Sequence, residues 1–293
     1  MDRIKDDTSR LGLGTAPFAA GYGLLASDQA PEPDAAALVR AAVAAGITYC
    51  DTAESYGNVE AALGACADVL IAQRVRLCTK LRADAGREGL LGSLRRLGGA
   101  RLDTLLLHSA SVAELQDPAV AAWLVDAQRE GLVSCLGAST YGIAAAAQAC
   151  EQPWCRVVQV EHSLLNPSVV RAIAARKRAG QQLVVRSVLC QGLLTDRRRH
   201  AGRFGQTAHA RLDELEGVAR EWDFTLPELA IRFALDTPGV DIALVGMCGV
   251  AELRTALDAA RRAPLQSWQT RRLEQFDCSA EAWSHPERWP VAA

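Results

Sequence analysis

Short apolar runs, bounded by glycine or polar residues, alternate along this chain with longer stretches of helical periodicity. Leu11-Gly12-Leu13-Gly14-Thr15 reads as a strand entering a turn, and Pro31 and Pro33 precede an alanine-rich helix over 34–45. The unit then repeats. A strand over 47–50 stops at Asp51, and Asn58 stands as the N-cap of a helix over 59–67. A strand over 75–79 ends at Lys80 before a helix over 88–97, and a strand over 104–107 ends at His108 before a helix over 118–130. Strands over 133–138, 157–160, 183–185 and 242–245 follow, with helices over 143–150, 168–179 and 250–262.

These eight strands are nearly all followed by a helix, and most recur at the length of one βα unit. Continuous apolar strands belong to a parallel sheet covered on both faces, and eight such units in 293 residues suit a closed (β/α)8 TIM barrel. An open doubly wound sheet would carry GxGxxG after a strand near its start, and none is there. The seventh unit is longer: a polar loop at 196–206 and helices over 208–222 and 227–235 read as an insertion. No break in composition divides the chain, so it reads as one barrel domain over 1–293 with a tail from about residue 265. Trp268, Trp283 and Trp289 in that tail predict packing over the mouth or the bottom of the barrel.

Composition narrows the partners. Hydrophobic residues, at 49%, supply a large core, and a net charge of −2 with only short basic runs argues against nucleic acid. The densest basic run, Arg197-Arg198-Arg199-His200, reads either as a solvated loop or as an anion-contacting lid. Nine cysteines without a CxxC pair read as reduced core thiols. The stretch from Met1 to Asp7 is charged where a signal peptide is apolar, and no run reaches the length of a membrane span. The expectation is a cytoplasmic protein with neither a nucleic-acid nor a membrane partner.

The candidate chemistry gathers at strand ends. In a barrel these ends converge on one mouth, which makes neighbours of Asp51, Lys80 and His108, with Tyr56 joining from the loop after Asp51. Singly, each has an ordinary reading as ion pair, packing phenol or core imidazole. Together they make a proton donor. Free phenols exchange protons poorly near neutral pH, and an ammonium beside one stabilises its phenolate. Asp51 would keep Lys80 charged and oriented, and His108 would place a carbonyl oxygen beside the phenol. Hydride transfer to a carbonyl carbon requires such a proton donor and oxyanion site. A metal centre built from Asp51, His108 and His162 would leave Lys80 and Tyr56 without a task, so no metal is expected.

The stretch Asp51-Thr52-Ala53-Glu54-Ser55-Tyr56-Gly57, with Cys78-Thr79-Lys80-Leu81 and Leu105-Leu106-Leu107-His108, resembles the aldo-keto reductases, over roughly residues 10–265. The resemblance implies a (β/α)8 barrel, a nicotinamide cofactor, and an Asp51, Tyr56, Lys80, His108 tetrad in which the phenol is the general acid. Gly137-Ala138-Ser139-Thr140 resembles the family's Gly-x-Ser-Asn turn, and Val158-Gln159-Val160-Glu161 its Val-Gln-x-Glu strand. That likeness implies that Ser139 and Gln159 hold the nicotinamide carboxamide, with Thr140 standing where Asn is usual. Residues 186–194 resemble the segment along the pyrophosphate, which implies contacts from Ser187, Leu189, Gln191 and Gly192, and from Gly14 and Thr15 at the first strand's end. Arg186 stands where an aromatic often stacks on the nicotinamide; its guanidinium either stacks there instead or turns away. Residues 245–255 resemble the segment gripping the adenosine end, which implies Gly246, Met247, Cys248, Glu252 and Thr255 as contacts.

Members selective for NADPH place Lys or Arg near 246–248 and 252. Glu252 would instead repel a 2′-phosphate and accept from a ribose hydroxyl, which implies tolerance of or preference for NAD(H). The resulting expectation is an NAD(P)(H)-dependent oxidoreductase interconverting an aldehyde or ketone and its alcohol. The alternative is a redox-sensing or partner-binding subunit that holds the cofactor with little turnover. Phe18 and Tyr22, with Tyr56 and His108, are the expected substrate contacts, and few aromatics in these loops favour a polar, sugar-like carbonyl compound.

Overall fold

A computed structural model describes residues 6–19, 22–24, 34–99 and 102–289. Most of the charged N-terminal stretch, and Pro31 and Pro33 ahead of the first helix, lie outside the described residues. The strands are β1 (Leu11–Gly14), β2 (Tyr49–Asp51), β3 (Arg76–Leu81), β4 (Leu102–Leu107), β5 (Cys135–Ser139), β6 (Val157–Glu161), β7 (Gln182–Arg186) and β8 (Ile242–Gly246). They close into a barrel in sequence order, every neighbouring pair parallel. The seam between β1 and β8 sets Leu11 opposite Ala243 and Gly14 opposite Gly246.

Strand alternation divides each strand between two cores. Tyr49, Cys78, Leu106, Val157, Val184, Ile242 and Leu244 fill the barrel interior as an apolar plug. Their neighbours Cys50, Leu77, Leu105, Leu107, Val158, Val185 and Ala243 face the helices. Gly137 lets β5 lie close to β6: a Cβ there would stand 2.1 Å from the carbonyl oxygen of Val157.

The helical layer follows the expected order with local differences. Asp34 caps the helix Ala35–Ala44, its carboxylate accepting from the Ala37 N–H at 2.9 Å. The helix expected over 59–67 is two, Val59–Gly64 and Ala67–Ala72, and Asn58 takes the N-cap position without a side-chain bond to the helix. The helix expected over 168–179 stops at Ile173 and passes into a 3-10 turn, Ala174–Arg176, before Gly180 takes a left-handed φ of 76° into β7. The loop at 196–206 contains two 3-10 turns, Asp196–His200 and Gly202–Phe204, ahead of the helices Gly205–Glu221 and Leu226–Asp236.

At the N-terminal face of the barrel, wholly buried Arg232 donates to Asp7 at 2.7 Å, to Asp236 at 2.8 Å, and to the Ala260 and Arg262 carbonyls at 3.2 and 3.4 Å. The tail lies against the opposite, mouth-side loops. The Cys278 N–H bonds the Leu165 carbonyl at 2.8 Å, Trp289 meets Phe204 at 4.6 Å, and Trp283 packs in the cluster of Leu193 and Leu194. Trp268 departs from this, meeting Trp222 edge-on at 5.3 Å and remaining exposed. All nine cysteines are free thiols. Among the described residues no helix is long and apolar enough to cross a membrane.

Candidate active site

The interior face of each strand continues past the plug. One alternation beyond Tyr49, Cys78, Leu106, Val157 and Val184 stand Asp51, Lys80, His108, Gln159 and Arg186, so polar residues ring the mouth directly above apolar ones. Lys80 is buried. It donates to Asp51 Oδ2 at 2.6 Å and to the Thr52 carbonyl at 2.7 Å, and reaches the Tyr56 hydroxyl at 3.5 Å. Burial works against the ammonium, but Asp51 and the Tyr56 phenol outweigh it and hold the Lys80 pKa above its ordinary value. Lys80 is therefore a fixed positive charge. Asp51 is held in turn: Gln159 Nε2 donates to its Oδ1 at 2.7 Å, Ser139 Oγ donates to Gln159 Oε1 at 2.9 Å, and Thr15 Oγ1 donates to its carbonyl at 2.9 Å.

His108 lies edge-on to Tyr56 with ring centroids 6.0 Å apart, and its Nδ1 is 3.2 Å from Ser55 Oγ. Burial first, then the charges of Lys80 and Arg186, push its pKa from 6.5 down to about 3. His108 is thus a neutral imidazole across the ordinary pH range. Its ¹⁵N resonances are expected to keep the neutral pattern from pH 8 to 5, and a protonation midpoint above about 5.5 in an NMR titration would contradict the burial argument. His162 is likewise pushed down to about 3, by burial and then Arg171. Unfolded imidazoles protonate near pH ~6.5, so the unfolded chain binds more protons below that value, and the stability contributed by both groups is lost as pH falls from about 6.5 toward 3.

His162 does not join Asp51 and His108. Alternation turns it outward, where its Nε2 is 2.9 Å from Thr237 Oγ1 and its ring stacks on Phe233 at 5.3 Å. Among the described residues no group of three or more His, Cys, Asp or Glu is placed to hold a metal ion.

Beside the mouth, a cleft of about 480 Å³ runs from Tyr22 between the loops after β7 and β8. Ser187, Leu189, Gln191 and Gly192 line one wall, and Gly246, Glu252 and Thr255 the other. Ser187, Cys190 and Gln191 take left-handed φ values of 61°, 48° and 51°. Such backbone costs on the order of 1–3 kcal/mol per residue and clusters at ligand sites. Gly246 must be bare, because a Cβ there would come within 2.8 Å of Pro17. Arg186 is engaged by the protein itself: its guanidinium lies 3.9 Å from the centre of the Tyr141 ring, donates to the Thr140 carbonyl at 2.7 Å, and has Glu161 at 3.9 Å.

Three expected contacts are placed differently. Met247 is fully buried in the outer core, since one step past Gly246 the alternation points away from the mouth. Cys248 does not line the cleft; its Sγ accepts from Arg197 at 3.6 Å. Phe18 packs half-buried against the outer core, and Pro17 of the same 3-10 turn lines the cleft instead. The first half of the basic run, Arg197 and Arg198, is pinned at the cleft, while Arg199 and His200 are exposed. Arg197 pairs with Glu252, and Arg198 with Asp213 at 2.6 Å and with Glu216. Glu252 is therefore not the bare carboxylate its sequence context suggests.

These residues fit a nicotinamide dinucleotide. Ser139 and Gln159 are bonded to each other and through Gln159 to Asp51 at the mouth, a donor and acceptor set that suits an amide. The cleft is walled without side chains at Gly192 and Gly246, and the helix Val250–Arg261 begins beside it, where free backbone N–H groups suit a phosphate.

Known proteins are similar to this chain in sequence or in fold. A 6-dehydroglucose reductase of Novosphingobium aromaticivorans is 34% identical over 151 residues, 44% of this chain and 49% of its own, so the match spans about half the length of that relative. An aldo-keto reductase of Bacillus halodurans in its holo form superposes with a TM-score of 0.73 at 21% identity, over 92% of each chain. A glycerol dehydrogenase of Gluconobacter oxydans does so with a TM-score of 0.71 at 20% identity, over 97% of this chain and 94% of its own. The fold is shared with both. The profile of the Aldo/keto reductase family matches residues 10–277, nearly all of the barrel and its mouth, and the chain belongs to that family of oxidoreductases.

Proposed function

We propose that the chain is an NAD(P)(H)-dependent oxidoreductase that interconverts a polar, sugar-like aldehyde or ketone and its alcohol. The observation that carries this reading is the buried line from Asp51 through Lys80 to the Tyr56 hydroxyl, beside a neutral His108. When bound, the nicotinamide supplies the hydride that adds to the carbonyl carbon. Tyr56 gives its proton to the carbonyl oxygen. Lys80, unable to lose its charge, stabilises the phenolate left behind, and Asp51 keeps Lys80 in register. His108, with Nδ1 engaged by Ser55, has Nε2 left to hold the substrate oxygen as a neutral donor. In the oxidative direction the phenolate accepts the alcohol proton.

Ser139, Thr140 and Gln159 would hold the carboxamide, and the walls of the cleft the dinucleotide. Tyr22 and Tyr141 would shape the substrate space: both sit close enough to Tyr56 and Arg186 for their charges to be felt, and burial raises both phenols' pKa values. The partial likeness to a 6-dehydroglucose reductase supports a polyhydroxylated substrate. Nine free thiols support a reducing compartment, the cytoplasm.

Fluorescence titration with NADH and NADPH, then single-turnover reaction with a panel of sugar-derived aldehydes and ketones, tests the proposal. Cofactor oxidation by at least one carbonyl compound is expected. Bound cofactor that never turns over would make the chain a redox-sensing or partner-binding subunit on the same scaffold.

A further inference from the structure

We infer that Glu60 and Thr79 are positioning residues for the proton transfer, their buried bond holding the segment that carries Tyr56 at a fixed distance from the strand that carries Lys80. This role rests on the function proposed above and deepens it.

Glu60 is out of place by its chemistry. It stands on the core face of the helix Val59–Gly64, with Val59 and Leu63, and is wholly buried. A carboxylate there needs partners, and it has them on two elements. Its Oε1 accepts from Thr79 Oγ1 at 2.6 Å, and its Oε2 from Arg96 Nε at 2.8 Å. Thr79 precedes Lys80 on β3, and alternation turns Lys80 into the mouth and Thr79 outward to the helix. Glu60 follows Tyr56 by four residues. The bond therefore ties together, from behind, the two segments whose side chains meet in front at 3.5 Å.

Arg96 carries the tie round to the turn itself. It ends the helix Gly86–Arg96, and Gly64 lies so close against that end that a Cβ would stand 2.2 Å from the Arg96 carbonyl oxygen. Its guanidinium also donates to buried Ser93 at 3.1 Å and reaches Glu54 at 3.6 Å. Glu54, Ser55 and Tyr56 form one 3-10 turn, whose side chains engage Arg96, His108 and Lys80 in succession.

Magnitudes favour placement over stability as the role of this carboxylate. A buried ion pair seldom holds a fold better than apolar residues of the same volume, but it does fix where its partners stand. The Tyr56 hydroxyl meets Lys80 at the outer limit of a hydrogen bond, so a small shift of the turn breaks the contact. Misplacing a reacting group by about 1 Å costs up to about a hundredfold in rate.

The test compares the wild type, Thr79→Val and Thr79→Ser, each also in a Tyr56→Phe background, with a carbonyl compound that the wild type reduces. Val keeps the shape of Thr79 without its hydroxyl, and Ser keeps the hydroxyl. Thr79→Val is expected to slow single-turnover reduction per folded molecule about tenfold at saturating cofactor and substrate, and Thr79→Ser less than about twofold. Dissociation constants for NADH and NADPH should stay within about twofold in both. With Tyr56→Phe the slowing by Val should vanish, because no phenol proton is left to place. If Thr79→Val does not fold, Glu54→Gln at the exposed end decides: a slowing of about twofold to threefold that Tyr56→Phe erases is expected, and an unchanged rate overturns the inference. Val and Ser variants that both keep the wild-type rate also overturn it, as does a Val variant that slows Tyr56→Phe by the same factor as the wild type, which would leave the bond as packing alone. A wild type that reduces no carbonyl compound would instead remove the functional reading, and the inference with it, a result distinct from Thr79 variants that match an active wild type.

Discussion

Tyr56→Phe is expected to lower single-turnover carbonyl reduction by about a hundred- to ten-thousandfold while leaving nicotinamide binding within about twofold. The phenol's hydroxyl meets Lys80 at 3.5 Å, and its ring meets His108 edge-on, so Phe keeps the ring contact and loses only the hydroxyl. No neighbour can take over the transfer. Lys80 is held above its ordinary pKa by Asp51, and His108 is a neutral imidazole whose remaining proton is far less acidic than a phenol's. Stability should change by less than about 0.5 kcal/mol, because no buried group loses its only partner. A variant that keeps near-normal turnover with saturating cofactor would mean that Tyr56 is not the acid.

Arg232→Met carries the second large effect, on stability: a loss of about 3–5 kcal/mol in urea unfolding at pH 7. Arg232 is fully buried, with Asp7 almost as deep, and the substitution strips its guanidinium from two carboxylates and two carbonyls together. Burial alone would raise the Asp7 pKa, but its bonds to Arg232, with help from Arg10, hold it below the usual range. A depressed folded-state carboxylate contributes stability that is full above pH ~4 and lost as pH falls through the folded value, so the variant should lose that part of its acid sensitivity. The mouth lies at the other end of the barrel, so turnover per folded molecule should survive. A loss below about 1 kcal/mol would show that the cluster is worth little.

Much of the mouth was legible in the sequence because the tetrad obeys a local rule. Asp51, Lys80 and His108 end short apolar runs at βα spacing, and a closed barrel brings such ends together whatever the side chains between them. Met247 shows the same rule neglected: alternation from Leu244 through Gly246 assigns it outward. What could not be read are contacts made only by packing. Arg197, in the loop after β7, and Glu252, in the first turn of the helix Val250–Arg261, are 55 residues apart, Arg186 and Thr140 are separated by 46, and Arg232 and Asp7 by 225. No periodicity signals such pairs, and two of them bear on a residue already singled out: Glu252 becomes one half of an ion pair, and Arg186 is engaged by the Thr140 carbonyl and the Tyr141 ring.

The β1–β8 seam has a consequence for how the chain is made. Arg10 and the Val240 carbonyl, joined by a hydrogen bond at 2.8 Å, are 230 residues apart. At roughly 5–20 residues per second of synthesis, the first strand waits on the order of ten to fifty seconds for its partner. During that time one of its edges has no strand to pair with. β1 is four residues long and half glycine, too short and too bare to template a rival strand, so the barrel's opening strand is also a poor nucleus for aggregation while the nascent chain remains open.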